Sequence, residues 1–242
     1  MRNLIGILVL SGMFSAAAQS NPVLLVSPER PAAGGSFRVL AAWEADPGKS
    51  QIVVTGPGGP LDVRTGREGG GPPWWRCAGF EAGAAGRYQV ALKSGRTILA
   101  SCEVEITPGP APVRKPAAGV WENRRAWGRE SELLYAAWIE ALFAGAPEGS
   151  SWPSLHEVTR RAEENPLFNH LGLGEDDAAG KVSVIMEPDC ADNPFYLRAY
   201  FSWKLGLPFG FHETGRGTLK QPPHPGRWIT NTSHPGQPHP VR

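Results

Sequence analysis

Apolar and polar residues alternate with a period of two along the first half of the chain. Val104 and Ile106 alternate with Glu103 and Glu105, as in a strand with one buried face. Further segments that carry Val, Ile, Tyr, Phe or Trp between turn residues lie at 36–43, 51–55, 74–80, 87–92 and 99–106. Residues 22–107 are therefore predicted to form a small antiparallel β-sandwich.

The hydrophobic period changes to about 3.6 residues in the second half of the chain. Leu134, Trp138 and Leu142 fall on one stripe, which predicts an amphipathic helix over residues 130–143. This change of period predicts a second, mainly helical domain over residues 120–217, so that the whole chain belongs to the α+β class.

Two further helices are predicted in that second half. Ser154, followed three residues later by Glu157, has the pattern of a capping box and predicts a helix start, which Pro166 is expected to end. Residues 194–205 are apolar on nearly all sides, as in a buried helix, and Gly206 is its expected stop.

Two proline-rich stretches lack a periodic apolar pattern. Residues 108–119 are predicted to be an extended, semi-rigid linker, and residues 218–242 a disordered Pro/His tail with a weak strand candidate at 227–230. A transition-metal site on the tail histidines is the alternative, but their spacing matches no zinc signature, so no metal and no cofactor are predicted. These histidines are His224, His234 and His239.

The N-terminus, residues 1–18, has the order of a secretory signal peptide. Arg2 supplies a positive charge, residues 4–14 are an apolar run, and residues 16–18 are small alanines. Because a membrane-spanning helix needs about 20 apolar residues, stable membrane insertion is not expected. We expect cleavage near Gln19 and a secreted or periplasmic protein; a buried N-terminal helix is the alternative.

The charge balance removes two classes of partner. The 24 Lys and Arg residues against 23 Asp and Glu residues give a net charge of +1, and the basic residues form no run. Nucleic acids and anionic membrane surfaces are therefore not expected partners.

Three cysteines are present, and export suggests how they divide. Cys77 and Cys102 both lie on predicted strands of the first domain, so they are expected to form a disulfide. Cys190 is then left as the single free thiol.

Cys190 lies in the motif Asp189-Cys190-Ala191-Asp192, at or just before the predicted helix at 194–205. The start of a helix offers unpaired N–H groups and the positive end of the dipole, which favour a thiolate and an oxyanion. The alternative is a cysteine that acts as a small buried hydrophobic residue.

The same motif carries a resemblance to known proteins. Together with Pro194, the apolar helix that ends at Trp203-Lys204 and the turn over residues 206–210, it resembles exported bacterial proteins of the NlpC-like branch of papain-like cysteine peptidases. The resemblance covers residues 120–217. It implies a papain-like α+β domain in the bacterial envelope, in which Cys190 attacks an amide of peptidoglycan peptides and Asp189 and Asp192 bind substrate. The first domain resembles the immunoglobulin-like modules of exported proteins, with residues 85–90 similar to their penultimate strand.

The chain departs from that family after the helix. Such enzymes place a general-base histidine on a strand well downstream of the cysteine, whereas residues 218–242 are rich in proline, which cannot donate to a sheet ladder. The catalytic domain is therefore expected to be incomplete, and His212 is the best-placed candidate base, with a turn histidine at the surface as the alternative.

A second hypothesis comes from a different class of protein. The chain is then a non-catalytic envelope binding or scaffold protein, whose β-sandwich docks a partner or a glycan. Trp74 and Trp75 could stack on sugar rings, although alternation along a strand favours one of them as a core residue.

Overall fold

The first half of the chain folds into two four-stranded antiparallel sheets. The computed structural model describes residues 21–110 and 120–233. The strands are β1 Val23–Ser27, β2 Ser36–Trp43, β3 Gln51–Gly56, β4 Gly59–Pro60, β5 Thr65–Gly70, β6 Trp74–Glu81, β7 Gly86–Ser94 and β8 Thr97–Ile106. One sheet has the order β1-β2-β6-β5 and the other the order β4-β3-β7-β8.

This strand order is that of an immunoglobulin-like sandwich, in which the first, second, fifth and fourth strands of the fold form one sheet. A tyrosine corner accompanies it. Tyr88 lies near the start of the penultimate strand β7, and its hydroxyl donates to the carbonyl of Ala84 at 2.8 Å. The predicted antiparallel β-sandwich and its immunoglobulin-like character are thus confirmed.

Three strands of the sandwich are not among those predicted. β1 packs against the helical layer on one face and against the sandwich interior on the other, so apolar and polar residues do not alternate in its sequence. β4 has two residues, and β5 is rich in glycine and has one β-branched side chain, Thr65, and no aromatic one. These two strands form because the neighbouring strands β3 and β6 offer backbone N–H and C=O groups along one edge.

The predicted disulfide is wrong. Cys77 and Cys102 are both free thiols. Cys77 on β6 packs against the layer outside the sandwich, whereas Cys102 on β8 packs into the sandwich interior, so a sheet separates the two side chains. Burial raises the pKa of the Cys77 thiol to about 11.

Within residues 120–233, the second half holds three helices, α1 Arg129–Phe143, α2 Leu155–Thr159 and α3 Asn193–Leu205, and a hairpin of β9 Gly210–Gly215 and β10 His224–Thr230. Long irregular segments join them. The described residues are thus mainly antiparallel sheet with few helices, and the mainly helical, papain-like domain is not confirmed.

The helix predictions differ in how well they fit. Leu134, Trp138 and Leu142 are buried on α1 as their spacing predicts. α2 starts where Ser154 predicts, but the Ser154 hydroxyl contacts the His156 ring at 3.1 Å instead of capping the backbone. It ends at Thr159, well before Pro166, and the side-chain amide of Asn165 donates to the carbonyl of Thr159 at 2.7 Å in place of a further turn of helix.

α1 covers the outer face of the β1-β2-β6-β5 sheet. Trp75 of β6, with 2% of its surface exposed, belongs to one hydrophobic cluster with Leu25 and Leu40 of that sheet and Trp138 of α1. Arg67 donates across the contact to the carbonyl of Ala141 at 2.9 Å. The sandwich and the helical region therefore share a core.

The hairpin replaces part of the predicted disordered tail. β10 pairs with β9 over residues 224–230, and the register shifts between Pro225 and Trp228. That irregularity accommodates a proline that a regular ladder would exclude. The predicted signal peptide, most of the linker and His234 and His239 lie outside the described residues.

Candidate functional site

Cys190 stands on an exposed turn before α3. The carboxylate of Asp189 accepts from the backbone N–H groups of Ala191 at 2.8 Å and Asp192 at 3.0 Å, which closes the turn. Asp192 is the N-cap residue and Pro194 lies in the first turn, a position that tolerates proline. The sequence therefore places the thiol in solvent and not in a core.

The amides around this turn are already used. The N–H of Asn193 donates to the carbonyl of Asp189, and those of Phe195 and Tyr196 donate to the carbonyl of Asp192. Pro194 has no N–H group. The unpaired donors expected at the helix start are thus absent from Ala191 to Tyr196.

His212 lies on β9 and is exposed. Its Nδ1 is 3.0 Å from the carbonyl oxygen of Gly226, and its ring centroid is 4.8 Å from that of Trp228. Among the described residues, no hydrogen bond joins His212 to Cys190. Asp189 and Asp192, the predicted substrate-binding residues, are both exposed beside the thiol, and Asp189 also holds the turn together.

An open groove of about 410 Å³ lies along the first two turns of α3, and we call it the aromatic groove. Its volume falls within the range of small-molecule sites. Its lining consists of Trp127, Tyr135, Pro194, Phe195, Arg198 and residues 208–210. Two of these residues, Pro194 and Phe195, follow closely on the Cys190 turn.

Arg198 is held rigidly in the aromatic groove. Its guanidinium carbon is 3.2 Å from the ring centroid of Trp127 and 4.7 Å from that of Tyr135. It donates to both carboxylate oxygens of Glu132, at 2.8 and 2.5 Å. These hydrogen bonds lower the pKa of Glu132. The sequence does not indicate this pair, because Arg198 and Glu132 lie on different helices, 66 positions apart.

A second groove of about 340 Å³ lies on the other side of residues 208–210, and we call it the hairpin groove. It is lined by Asn123, Trp228, Thr230, Asn231 and Thr232 in addition to residues 208–210. Asn231 is buried and fixes the shared ridge: its side-chain oxygen accepts from the N–H of Phe209 at 3.0 Å, and its amide donates to Asn123 at 2.7 Å.

A buried polar cluster supports α3 from behind. Lys204 has no exposed surface and donates to Glu175 and Asp176, both at 2.5 Å. The Tyr200 hydroxyl donates to Asp176 at 2.9 Å and accepts from Asn165 at 2.9 Å. The cluster fastens the irregular segment before the Cys190 turn to the helix that follows it.

The pKa values of the two carboxylates in this cluster shift in opposite directions. Burial tends to raise the pKa of Glu175, but the Lys204 charge and hydrogen bonds from Lys204 and the Leu171 N–H outweigh it, so the pKa is lowered. Burial dominates for Asp176, whose pKa is raised in spite of Lys204. For both carboxylates, the charge of Lys204 therefore offsets part of the free-energy cost of burying a negative charge.

His170 is buried next to this cluster, and we expect it to make the protein less stable in acid. Burial, reinforced by the charge of Lys204, lowers its pKa from 6.5 to about 3. Below pH 6.5 the histidine binds a proton in the unfolded chain but not in the folded chain. The free energy of unfolding is therefore expected to fall by about 1.4 kcal/mol per pH unit down to about pH 3. Denaturant unfolding between pH 7 and pH 4 measures this slope.

The variant His170→Leu is expected to flatten that slope, and His224→Gln, which changes an exposed histidine, is its control. Equal slopes for His170→Leu and the unmodified chain would show that His170 is not the group that takes up the proton.

The described residues show neither a metal site nor a membrane span. Within residues 21–110 and 120–233, no group of three His, Cys, Asp or Glu side chains could hold a metal ion. No helix in the same ranges is long and apolar enough to cross a bilayer.

Among the comparisons with known proteins, those with solved structures give matches. No family model and no curated protein matches the chain. A solved structure of the Lin-41 filamin domain is 12% identical, with a TM-score of 0.29, and the match covers 37% of this chain and 100% of that domain. A complex of titin M10 with an obscurin-like 1 immunoglobulin domain is 18% identical, with a TM-score of 0.25, and covers 37% of this chain and 93% of the other.

Proposed function

We propose that this chain is an exported, NlpC-like cysteine amidase or endopeptidase that acts on the peptides of peptidoglycan, with Cys190 as its nucleophile. One observation carries the proposal: the thiol of Cys190 is exposed on a turn directly before the largely buried helix α3. The motif around Cys190 supports the family, and the signal-peptide pattern over residues 1–18 supports export to the envelope.

The reaction needs a thiolate, a base and a leaving amine. The sulfur of Cys190 adds to the amide carbonyl carbon, the C–N bond breaks, and the amine leaves with the proton taken from the thiol. The resulting thioester is then hydrolysed by water, which releases the acid and restores the thiol. We assign the proton transfer to His212: when its Nδ1–H donates to the Gly226 carbonyl, its Nε2 is the proton acceptor.

Replacement of Cys190 by alanine is expected to abolish hydrolysis and leave the fold intact, because the side chain is exposed and makes no hydrogen bond among the described residues. Release of peptide from purified peptidoglycan is the measurement, and a fall of several orders of magnitude is expected. His212→Ala is expected to lower the rate by about 10² to 10⁴.

Cys102→Ala is the matched control, since Cys102 is a half-buried thiol in the sandwich. Its variant is expected to hydrolyse the substrate at the rate of the unmodified chain. Hydrolysis that persists in Cys190→Ala would remove Cys190 as the nucleophile.

A second candidate function is a non-catalytic envelope binding protein. Two observations favour it: no hydrogen bond joins Cys190 to His212 among the described residues, and the amides from Ala191 to Tyr196 are engaged within their own turn. Binding to purified cell walls, with no peptide released by the unmodified chain, would select this function.

A further inference from the structure

We infer that the aromatic groove and the hairpin groove together bind an uncharged oligosaccharide, one sugar ring on each side of residues 208–210. The inference rests on the proposed function only where it identifies that oligosaccharide as the glycan strand of the cell wall. The grooves themselves supply the chemical argument.

Each groove presents an exposed aromatic side chain. Phe195 in the aromatic groove and Trp228 in the hairpin groove both have 54% of their surface exposed. One face of a pyranose ring consists of C–H groups, and burying that face against an aromatic ring removes apolar surface of both partners from water. Phe209 lies on the ridge that the two grooves share. Each groove therefore has its own aromatic side chain, and a third one stands on the boundary between them.

The polar groups suit hydroxyl groups. Arg198 in the aromatic groove gives two N–H donors to Glu132 and keeps its own Nε–H and further N–H groups for a ligand. The Glu132 carboxylate beside it is half-exposed and keeps unused lone pairs. Trp127 and Tyr135 fix the guanidinium in place, so little side-chain entropy is lost on binding. Donor and acceptor thus stand side by side, as vicinal hydroxyl groups require.

The charge of the grooves selects an uncharged ligand. Arg198 is neutralised by Glu132, and no other lining residue of the aromatic groove is charged. The hairpin groove offers Asn123, Thr230 and Thr232 and has no charged lining residue. A charged ligand would give up its hydration without a free counter-charge in these grooves, whereas a neutral sugar loses less.

The sandwich is a weaker candidate for the same task. Trp75 is buried beneath α1, and Trp74 is half-buried and packs towards the sandwich interior. These two residues therefore leave no exposed pair of rings, and the glycan contact moves from the sandwich to the grooves beside α3.

The test is titration of the Cys190→Ala variant of the whole chain with a chitin-derived tetrasaccharide, followed by calorimetry. Saturable binding is expected, and Phe195→Ala and Trp228→Ala are each expected to weaken it about tenfold. Ile98→Ala is the control, because Ile98 is nearly as exposed but lies on β8 of the sandwich. This variant is expected to bind the tetrasaccharide with unchanged affinity.

A change of selectivity provides a second readout. Glu132→Gln leaves Arg198 without its counter-charge, so this variant is expected to gain affinity for an acidic tetrasaccharide such as an oligouronate, relative to the neutral one. A merely structural role of the pair would not change the preference between the two sugars.

The outcomes separate this inference from the proposed function. If the tetrasaccharide does not bind, or if it binds with the same affinity to Phe195→Ala and Trp228→Ala, the glycan inference is overturned even when Cys190 proves to be a nucleophile. Binding of a cell-wall stem peptide in these grooves in place of the sugar would also overturn it. If the sugar binds as expected but the unmodified chain hydrolyses nothing, the inference stands and the proposed hydrolase function fails.

Discussion

Replacing Lys204 with methionine is expected to lower the free energy of unfolding by about 3–5 kcal/mol, because it leaves the buried carboxylates of Glu175 and Asp176 without their cation. The methionine fills much of the same volume, so the loss reflects charge and hydrogen bonding more than packing. Chemical denaturation at pH 7 measures it.

The matched control is Lys181→Met, which changes an exposed lysine of the same half of the chain and is expected to alter stability by less than about 0.5 kcal/mol. Adding Glu175→Gln and Asp176→Asn to Lys204→Met removes the unpaired charges and is expected to recover part of the loss. A loss below about 1 kcal/mol for Lys204→Met alone would contradict the buried cluster.

The strands and helices that the sequence predicts correctly are those in which the burial of one face determines the spacing of the apolar residues. The alternation of Val104 and Ile106 with Glu103 and Glu105 survives in β8, since one face of that strand meets the core and the other meets water. β5 has no such pattern, and it exists only because β6 offers it an edge. Local pattern therefore identifies most of the sandwich and omits the strands that neighbours create.

The disulfide prediction failed for a related reason. It treated the sandwich as two sheets with one interior, in which any two cysteines on strands can meet. The packing of α1 on the outer sheet creates a second buried surface, and Cys77 faces that surface while Cys102 faces the first. The sequence does not indicate which face of β6 is covered by a helix that begins nearly fifty positions after that strand ends.

The candidate site was predictable only where its residues are adjacent in sequence. The motif from Asp189 to Asp192 is local, and its place before α3 follows from the apolar helix behind it. Arg198 with Glu132, and Lys204 with Glu175, join residues that are 66 and 29 positions apart, so no spacing rule connects them. The thiol is therefore recognisable in the sequence, whereas the grooves and the buried cluster are formed by the tertiary structure alone.

The buried face between sandwich and helices predicts that the two halves unfold together. Trp75→Ala is expected to lower the free energy of unfolding by about 3–5 kcal/mol, because it opens a cavity between β6 and α1. Since Trp75 packs in one cluster with Trp138, the substitution is expected to shift the unfolding of the helices and the unfolding of the sheets together, to a lower denaturant concentration.

Circular dichroism at a helix-sensitive wavelength follows the helices of the second half, and circular dichroism at a sheet-sensitive wavelength follows mainly the strands of the sandwich. Trp228→Ala is the control for the size of the deletion, because Trp228 is half-exposed on the hairpin, and it is expected to cost less than about 1 kcal/mol. Two separate transitions, of which Trp75→Ala shifts only the one belonging to the sheets, would show that the sandwich is stable without α1. A single shifted transition identifies the covered face of the β1-β2-β6-β5 sheet as the contact that holds the Cys190 region on the sandwich.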